Sequence, residues 1–339
     1  MSQVRAQDPR QTALVIGATG AVGGAVARVL LARGWRVRAL NRNPEAAGKS
    51  AQGLVGVEWI AGDAMKPADV VAAAQGCGLI VHGANPPGYR NWGGLVLPML
   101  DSTIAAAKGT GARILFPGTV YNYGPDAGAL VGEASPQNPP TRKGVIRAEM
   151  ERRLEAASRE GVRTILVRAG DFFGPQTSAS SWFSNVLAQP GKPVSLMLYP
   201  GPRAIGHAWA YLPDLAETMV RLVERADRLE PFAAFHFGGH WTAPGAEVAE
   251  AVRRVVGRKV PILPLPWFAV TLVAPFVETF REMLEMRYLW RGPLRLDNRK
   301  LVAILGAEPH TPLDDAVRAT LEGLNCLPTE ATRGALALA

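Results

Sequence analysis

The chain has 339 residues, of which 48% are hydrophobic and 19% are charged, and its formal net charge is +8. This composition fits a folded, enzyme-like protein with a sizeable core and argues against a disordered regulator. The basic residues form no block, because the tightest pairs, Arg152–Arg153 and Arg253–Arg254, stand beside acids, which argues against nucleic-acid binding.

Cysteine usage and hydropathy point to the cytoplasm. Cys77 and Cys326 are far apart and lack metal-ligand spacing, so we expect no disulfide framework and no metal site. The N-terminal stretch MSQVRAQDPRQ is polar, unlike a signal peptide. Three prolines interrupt the most apolar run, residues 261–276, which is too short and too broken to cross a bilayer. We therefore expect a cytoplasmic protein without a membrane partner.

The first elements are predicted to be a strand, a glycine turn and a helix. Leu14 to Ile16 form a short apolar run, which is typical of a buried parallel strand. Gly17, Gly20 and Gly23 follow at regular spacing, and such a turn lets the backbone approach a pyrophosphate at the helix N-terminus. The residues predicted to contact the dinucleotide here are Gly17, Thr19, Gly20, Ala21, Val22 and Gly23.

The end of the second predicted strand indicates the cofactor. A carboxylate there would bind the adenosine ribose and repel a 2′-phosphate, but this chain has Asn41 and Arg42, with Arg38 one strand face away. A guanidinium suits a phosphate by its charge and its bidentate geometry. We therefore expect NADP(H) rather than NAD(H), the alternative being that Arg42 only faces solvent.

Further strands and helices alternate along the chain. Asp63 ends the stretch VEWIAGD and is expected to contact the adenine, while Thr119 ends ARILFPGTV. This alternation predicts an α/β fold, a Rossmann-type doubly wound parallel sheet that binds ligands beyond the carboxyl ends of its strands. The other residues expected to bind the cofactor are Asp63, Ala64, Gly83, Ala84, Asn85, Ala169 and Phe172, together with Asn41, Arg42 and Lys143.

The stretch PPTRKGVIRAEM opens a predicted amphipathic helix with an unusual feature. At about 100° per residue, Lys143 and Arg147 fall on the same stripe as Met150 and Leu154. Both cations therefore lie on the face that should point into the protein. Like charges four residues apart also cost a helix a few tenths of a kcal/mol, so their placement calls for an explanation.

The second half is less regular. We expect a Rossmann domain at residues 1–173, a smaller substrate domain at 174–330 and a tail at 331–339. Helices are predicted at about 213–227, 244–256 and 267–290, and residues 232–239 are expected to return to the main sheet as a strand. Six aromatic residues are candidates for the core or for an apolar pocket lining: Trp182, Phe183, Trp209, Tyr211, Trp267 and Phe268.

These motifs resemble the extended short-chain dehydrogenase/reductase family, which is epimerase/dehydratase-like, along nearly the whole chain. The matching pieces are GATGAVGG, HGAN, YNYGP, RAGDFFGP, YLPDLAE and LDNRKLVAILGAEPHTPLDDAV. In that family a Ser or Thr precedes a Tyr-Gly pair by four residues, which matches Thr119 before Tyr123. The family then carries a catalytic Tyr, three residues and a Lys, and here Lys143 and Arg147 occupy that frame.

The Lys-x-x-x-Arg pattern of this helix resembles that of the isoflavone reductase-like group of atypical members. In that group, the lysine transfers the proton, so the resemblance implies this role for Lys143. The wider family often forms dimers through helices, so a homodimer is one expectation for this chain.

Three hypotheses for Lys143 follow. In the first, both cations only reach from the helix edge to water or to a carboxylate such as Glu149 or Glu151. In the second, burial lowers the pKa of Lys143, which then donates a proton during reduction by NADPH.

In this second hypothesis Thr119 binds the oxygen of a small-molecule substrate, and Arg147 binds ribose or phosphate or depresses the pKa of Lys143. Tyr121 and Tyr123 are reserve acids. In the third, the chain is a non-catalytic NADP(H) sensor. Nucleotide-sugar epimerase or dehydratase chemistry ranks lower, because it usually draws on the missing Tyr.

Overall fold

The computed structural model describes residues 11–51, 53–86, 91–177 and 181–327. The expected polar N-terminus and the expected tail at 331–339 lie outside these residues. The elements of the first half are β1 (Thr12–Ile16), α1 (Ala21–Ala32), β2 (Arg36–Asn41), α2 (Pro44–Ser50), β3 (Glu58–Ala61), α3 (Pro67–Ala73), β4 (Leu79–His82), α4 (Trp92–Thr110), β5 (Arg113–Thr119), β6 (Leu130–Val131), α5 (Arg142–Ser158), β7 (Thr164–Ala169) and β8 (Asp171–Phe173).

The second half contains shorter strands and most of the remaining helices. Its elements are β9 (Met197–Tyr199), β10 (His207–Tyr211), α6 (Leu212–Val223), β11 (Phe232–His236), β12 (His240–Thr242), α7 (Glu247–Val256), β13 (Ile262–Pro264), α8 (Trp267–Val273), α9 (Glu278–Glu285), β14 (Arg295–Leu296), α10 (Arg299–Leu305) and α11 (Leu313–Gly323). Among the residues described, no helix is long and apolar enough to cross a membrane.

The central sheet has seven parallel strands in the order β11-β7-β5-β4-β1-β2-β3. This confirms the predicted Rossmann-type α/β fold. Every residue of β1 is buried, because helices cover both faces of a parallel sheet. The strand order reverses between β1 and β4, and the carboxyl ends of these two strands therefore border the crevice where such sheets bind ligands.

Of the three small sheets, two join the second half to the first and one lies within the second half. β8 pairs with β10, which pairs with β12, while β13 pairs with β9 and β14 pairs with β6. The strand expected within residues 232–239 is β11, which extends the main sheet at its edge next to β7.

The helix predicted at about 267–290 is wrong as a single element. The structure has two short helices, α8 and α9, followed by a 3-10 turn at Arg287–Trp290. Pro275 has no backbone N–H and therefore removes one helical hydrogen bond, and Val277 is extended between the two helices. The helices predicted at 213–227 and 244–256 correspond to α6 and α7.

Most of the aromatic candidates lie in the core. Trp182, Phe183, Trp209 and Tyr211 are buried in one cluster, in which Phe183 packs edge-on against Trp209 at 6.3 Å between ring centroids. Phe268 is 80% exposed on α8. The core interpretation therefore holds for these four buried residues, and Phe268 belongs to neither the core nor an enclosed pocket.

Candidate functional site

The turn after β1 is too tight for side chains. Gly17 has a φ of +87°, which residues with a side chain rarely adopt, and a Cβ there would lie 2.5 Å from the carbonyl oxygen of Gly83. A Cβ on Gly23 would lie 2.3 Å from the carbonyl oxygen of Gly17. The backbones of the turn, of α1 and of the residue after β4 are thus in direct contact. This glycine cradle fits the close approach of a pyrophosphate.

The start of α1 faces this cradle with its backbone N–H groups. Gly20 is the N-cap residue, and its own N–H donates to the carbonyl oxygen of Gly17 at 2.9 Å. No side chain caps the helix, and Thr19 and Gly20 are exposed while Ala21 and Val22 are half-buried. The first-turn N–H groups and the positive end of the helix dipole therefore favour an anion at this point.

The two arginines near the end of β2 have different surroundings. Arg42 is exposed directly after Asn41, whose side-chain oxygen accepts from the backbone N–H of Asn43 at 2.8 Å. Arg38 instead donates to Glu58 at 3.2 Å and to the carbonyl oxygen of Gln75 at 2.6 Å. Of these two arginines, Arg42 is the one that remains at the carboxyl edge of the sheet, where a 2′-phosphate would lie.

The turn after β3 is stabilised by its own carboxylates. Asp63 accepts the backbone N–H of Met65 at 3.0 Å, and Asp69 accepts the backbone N–H of Asp63 at 2.9 Å. Asp63 and Ala64 are half-buried at the same edge of the sheet as the glycine cradle. The rigid turn keeps a carboxylate beside the position expected for the adenine.

Arg147 lies beside the end of β4. Its guanidinium stacks over the Trp92 ring at 5.1 Å, and the Trp92 indole donates to the side-chain oxygen of Asn85 at 2.8 Å. Burial and the nearby charge of Arg147 lower the pKa of His82 to about 3, so this imidazole is neutral at physiological pH. Arg147 therefore lies near His82 at the end of β4, on the Trp92 ring that contacts Asn85.

Lys143 points into the protein, as its place on the helix stripe predicted. Its side chain is 2% exposed, and its amine lies 2.6 Å from a carboxylate oxygen of Glu282 on α9. Burial lowers the pKa of Lys143, while the carboxylate of Glu282 opposes this effect. The positive charge of Arg142 also lowers the pKa of Lys143. The sequence had suggested Arg147 for this effect.

The carboxylates suggested as simple partners of the two cations have other partners. Glu149 binds Arg152 and Arg153 at 2.7 Å each on the outer side of α5. Glu151 is buried and binds Arg168 of β7 at 2.7 Å. The carboxylate that lies beside Lys143 is therefore supplied by a helix of the second half rather than by these two examples.

The loop after β5 packs against the start of α5. Thr119 is buried at the end of β5, and its hydroxyl accepts the backbone N–H of Tyr121 at 3.3 Å. A Cβ on Gly144 would lie 2.3 Å from the carbonyl oxygen of Tyr121. The backbone of α5 next to Lys143 is therefore in contact with this loop. The structure thus brings Thr119, Tyr121 and Lys143 into one region.

Tyr123 is excluded as a reserve acid. It is 0% exposed, and its hydroxyl is held by Arg168 at 2.8 Å and by His236 at 2.9 Å. Burial raises the pKa of Tyr123 well above its usual range. This phenol belongs to an interior network, whereas Tyr121, which is half-buried, stays in the loop beside Lys143.

The region after β7 carries groups that the sequence analysis did not assign. Ala169 ends β7 and Phe172 lies in β8, and Asp171 between them binds His207 of β10 at 2.8 Å. The His207 ring stacks on Trp290 at 3.7 Å between centroids. The motif RAGDFFGP contained Asp171, but no local signal linked it to His207, which is 36 residues away.

A cleft of about 390 Å³ is lined by residues 124–129, which follow β5, and by residues 288–294. The Tyr288 hydroxyl lines it and donates to the carbonyl oxygen of Tyr123 at 3.1 Å and, more weakly, to that of Tyr121 at 3.4 Å. Its walls are mostly apolar: Gly124, Pro125, Gly128, Ala129, Tyr288, Leu289, Arg291, Gly292, Pro293 and Leu294. A much smaller cavity beside Asp171 and His207 shares Leu289 and Leu294 with it.

Comparisons with known proteins find relatives of part of this chain. An NmrA-like family domain-containing oxidoreductase, notA, from Aspergillus sp. (strain MF297-2) is 44% identical over 72 residues, which are 21% of this chain and 21% of that protein. The match therefore reaches only about a fifth of this relative.

Solved structures agree over nearly the whole chain. MoeE5 in complex with UDP-glucose and NAD is 18% identical with a TM-score of 0.72, and covers 96% of this chain and 99% of that one. A UDP-glucuronic acid 4-epimerase from Bacillus cereus, in complex with NAD, is 16% identical with a TM-score of 0.73, at 94% and 100% coverage. At such identities the likeness shows a shared fold.

The family of this chain is shown by a family model that matches most of the described Rossmann core. The model of the NAD dependent epimerase/dehydratase family matches residues 13–238, about two thirds of the chain. This span runs from β1 to just beyond β11 and includes the glycine cradle, Thr119 and Lys143. The chain belongs to the NAD dependent epimerase/dehydratase family.

Proposed function

We propose that this chain is an NADPH-dependent reductase of a small, largely apolar carbonyl or conjugated enone, with Lys143 as the proton donor. The observation that carries the proposal is the burial of the Lys143 side chain at the start of α5, where the next residue, Gly144, packs against the loop that follows β5. The family resemblance places the catalytic phenol at this position of the sequence, and here an amine replaces it.

The residues of the glycine cradle would hold the dinucleotide, and Arg42 would bind a 2′-phosphate. NADPH supplies the hydride when it is bound. Arg147 is placed beside the end of β4, where its charge would reach ribose or phosphate oxygens. Ala169 and Phe172, which follow β7, would complete the site at the carboxyl edge of the sheet.

Lys143 would supply the proton. Because burial lowers its pKa, the ammonium gives up a proton more readily than an exposed lysine would. In this step an N–H bond of Lys143 breaks and an O–H or C–H bond forms on the substrate, and solvent later returns the proton to the amine. Thr119 would donate a hydrogen bond to the substrate oxygen, with Tyr121 as the reserve acid.

The cleft beside Tyr288 suits an apolar substrate. Its lining contains one charged side chain, Arg291, among mainly Gly, Pro, Ala and Leu residues. A volume of about 390 Å³ is at the lower end of ordinary small-molecule sites. We infer that the substrate enters here and reaches the Thr119–Tyr121 loop.

The test compares Lys143→Met with Lys49→Met, which removes an exposed lysine of α2. Each variant is assayed for NADPH oxidation against a panel of ketones, enones and quinones, and for NADPH binding by fluorescence. We expect Lys143→Met to keep NADPH binding and to lose about 100-fold or more in turnover. Near-normal turnover of an identified substrate by Lys143→Met would refute the role of the amine.

A second candidate is an NADP(H) sensor without catalysis. It is favoured by the ion pair between Lys143 and Glu282, because an amine held by a carboxylate also serves simply to attach α9 to α5. Tight NADPH binding combined with silence across the whole substrate panel would favour this function. Turnover of UDP-sugars in the same panel would instead favour epimerase or dehydratase chemistry.

A further inference from the structure

Helix α9 lies across the start of α5 with two carboxylates. Glu282 is 7% exposed, and one of its oxygens lies 2.6 Å from the Lys143 amine. Its backbone carbonyl also accepts from that amine at 3.2 Å. Glu285, one turn further on, accepts the backbone N–H of Lys143 at 2.8 Å. The second half of the chain thus holds both the side chain and the backbone of this lysine.

The two oxygens of Glu282 are divided between two cations. The second oxygen accepts from Arg142 at 3.1 Å, and the Arg142 side chain is 71% exposed. The carboxylate is therefore fixed from the inside by Lys143 and from the outside by Arg142. A buried ammonium would otherwise be costly to keep charged, and a carboxylate at this distance stabilises the charged form.

We propose that Glu282 is the positioning residue of Lys143: it orients the amine at the start of α5 and keeps it protonated until it reacts. Insofar as it concerns turnover, this inference rests on the proposed function, but the effect on the protonation of Lys143 does not. The carboxylate stays ionised throughout and is not consumed, because the proton that leaves comes from the amine.

Other charges near the amine act in opposite directions. Glu285 of α9 favours the ammonium, and Arg142 of its own helix disfavours it. Among uncharged titratable groups, Tyr121 lies in the loop packed against α5, and Tyr288 bonds to the backbone of that loop. Burial raises the pKa of Tyr288, so this phenol stays neutral. Removal of Glu282 alone should therefore lower the pKa of Lys143.

The decisive measurement is the titration of Lys143 by NMR of ¹⁵N-labelled lysine side chains, in protein without cofactor. The sequence has seven lysines, so the Lys143 signal can be assigned by its loss in Lys143→Met. We expect Glu282→Gln to lower the midpoint by at least one pH unit and Glu282→Asp to restore part of it. Glu278→Gln, on the same helix, is the control and should leave the midpoint unchanged.

Kinetics then separate the two proposals. If Lys143 donates the proton, the fall of kcat/KM at high pH should move to lower pH in Glu282→Gln by the shift seen in NMR. A shifted titration with an unmoved kinetic profile would leave the inference standing and refute the proposed function. An unshifted titration in Glu282→Gln would overturn the inference, and if that variant fails to fold, an unshifted titration in Glu282→Met decides against it.

Discussion

The glycine cradle gives a prediction whose size follows from one distance. A Cβ added at Gly23 would lie 2.3 Å from the carbonyl oxygen of Gly17 and 2.8 Å from its carbonyl carbon. Ordinary contacts of this kind begin near 3.4 Å, so α1 and the turn must separate by about 1 Å. The turn cannot yield in the other direction, because Gly17 itself is in contact with the backbone of Gly83.

Gly23→Ala should therefore weaken both the fold and NADPH binding. Overpacking of this kind costs about 1–3 kcal/mol of unfolding free energy. A displacement of about 1 Å also lengthens the hydrogen bonds from the first-turn N–H groups to a phosphate, each worth about 1.5–3 kcal/mol. We expect at least about a tenfold loss of NADPH affinity, measured by fluorescence titration.

The control for this prediction is Gly109→Ala in α4. No atom lies within 4 Å of a Cβ added there, and the residue is inside the helix. This change should stabilise the protein by about 0.5–1 kcal/mol and leave NADPH affinity unchanged. If Gly23→Ala bound NADPH within a factor of two of the parent while Gly109→Ala behaved as expected, the assignment of the cradle would be wrong.

Three further changes test the cofactor preference and the buried charges. Arg42→Asp should lower NADPH affinity by about 10- to 100-fold and keep or raise NADH affinity in parallel titrations, since only NADPH carries a 2′-phosphate and a carboxylate there would bind the free ribose; equal losses for both would contradict the role of Arg42. His82 and His236 have pKa values lowered to about 3, mainly by burial, so the unfolded chain binds protons below about pH 6.5 that the folded chain does not. The free energy of unfolding should thus fall between pH 6.5 and 3, by about 2 kcal/mol per histidine at pH 5, and urea titrations that are flat from pH 7 to 5 would contradict this. Glu151→Gln should cost about 3–5 kcal/mol in the same assay, because it leaves Arg168 charged and buried; a loss under 1 kcal/mol would show that the pair is solvated.

The parts of the fold that the sequence predicted are those whose signals are local. The glycine turn, the apolar run of β1 and the stripe of α5 each lie within a few residues, and the family motifs are equally short. The prediction of a single helix at 267–290 is wrong because Pro275 removes a helical hydrogen bond within that range. The sequence did not show the partners of Arg38, because its bonds to Glu58 and Gln75 depend on how β3 and α3 pack.

Only those residues of the site that belong to the Rossmann core could be predicted from the sequence. Thr119 and Lys143 came from the chain itself and from the family frame, but Glu282 lies 139 residues beyond Lys143 and on a short helix that the sequence did not separate from its neighbour. Likewise, the sequence suggested Tyr123 as an acid, but its hydroxyl is hydrogen-bonded to Arg168 and His236. The surroundings of Lys143 and Tyr123 thus depend on residues that are distant in sequence.

The two buried charges on α5 show how a structural ion pair differs from a candidate functional one. Glu151 binds Arg168, and both side chains are at most 5% exposed, so the pair is enclosed between α5 and the sheet. Lys143 binds Glu282, but the other oxygen of that carboxylate meets Arg142, which is mostly in solvent. The Lys143–Glu282 pair is therefore bonded to a mostly exposed side chain, Arg142. We therefore propose that Lys143 donates a proton, whereas Glu151 stabilises the fold, although both charges lie on the same helix.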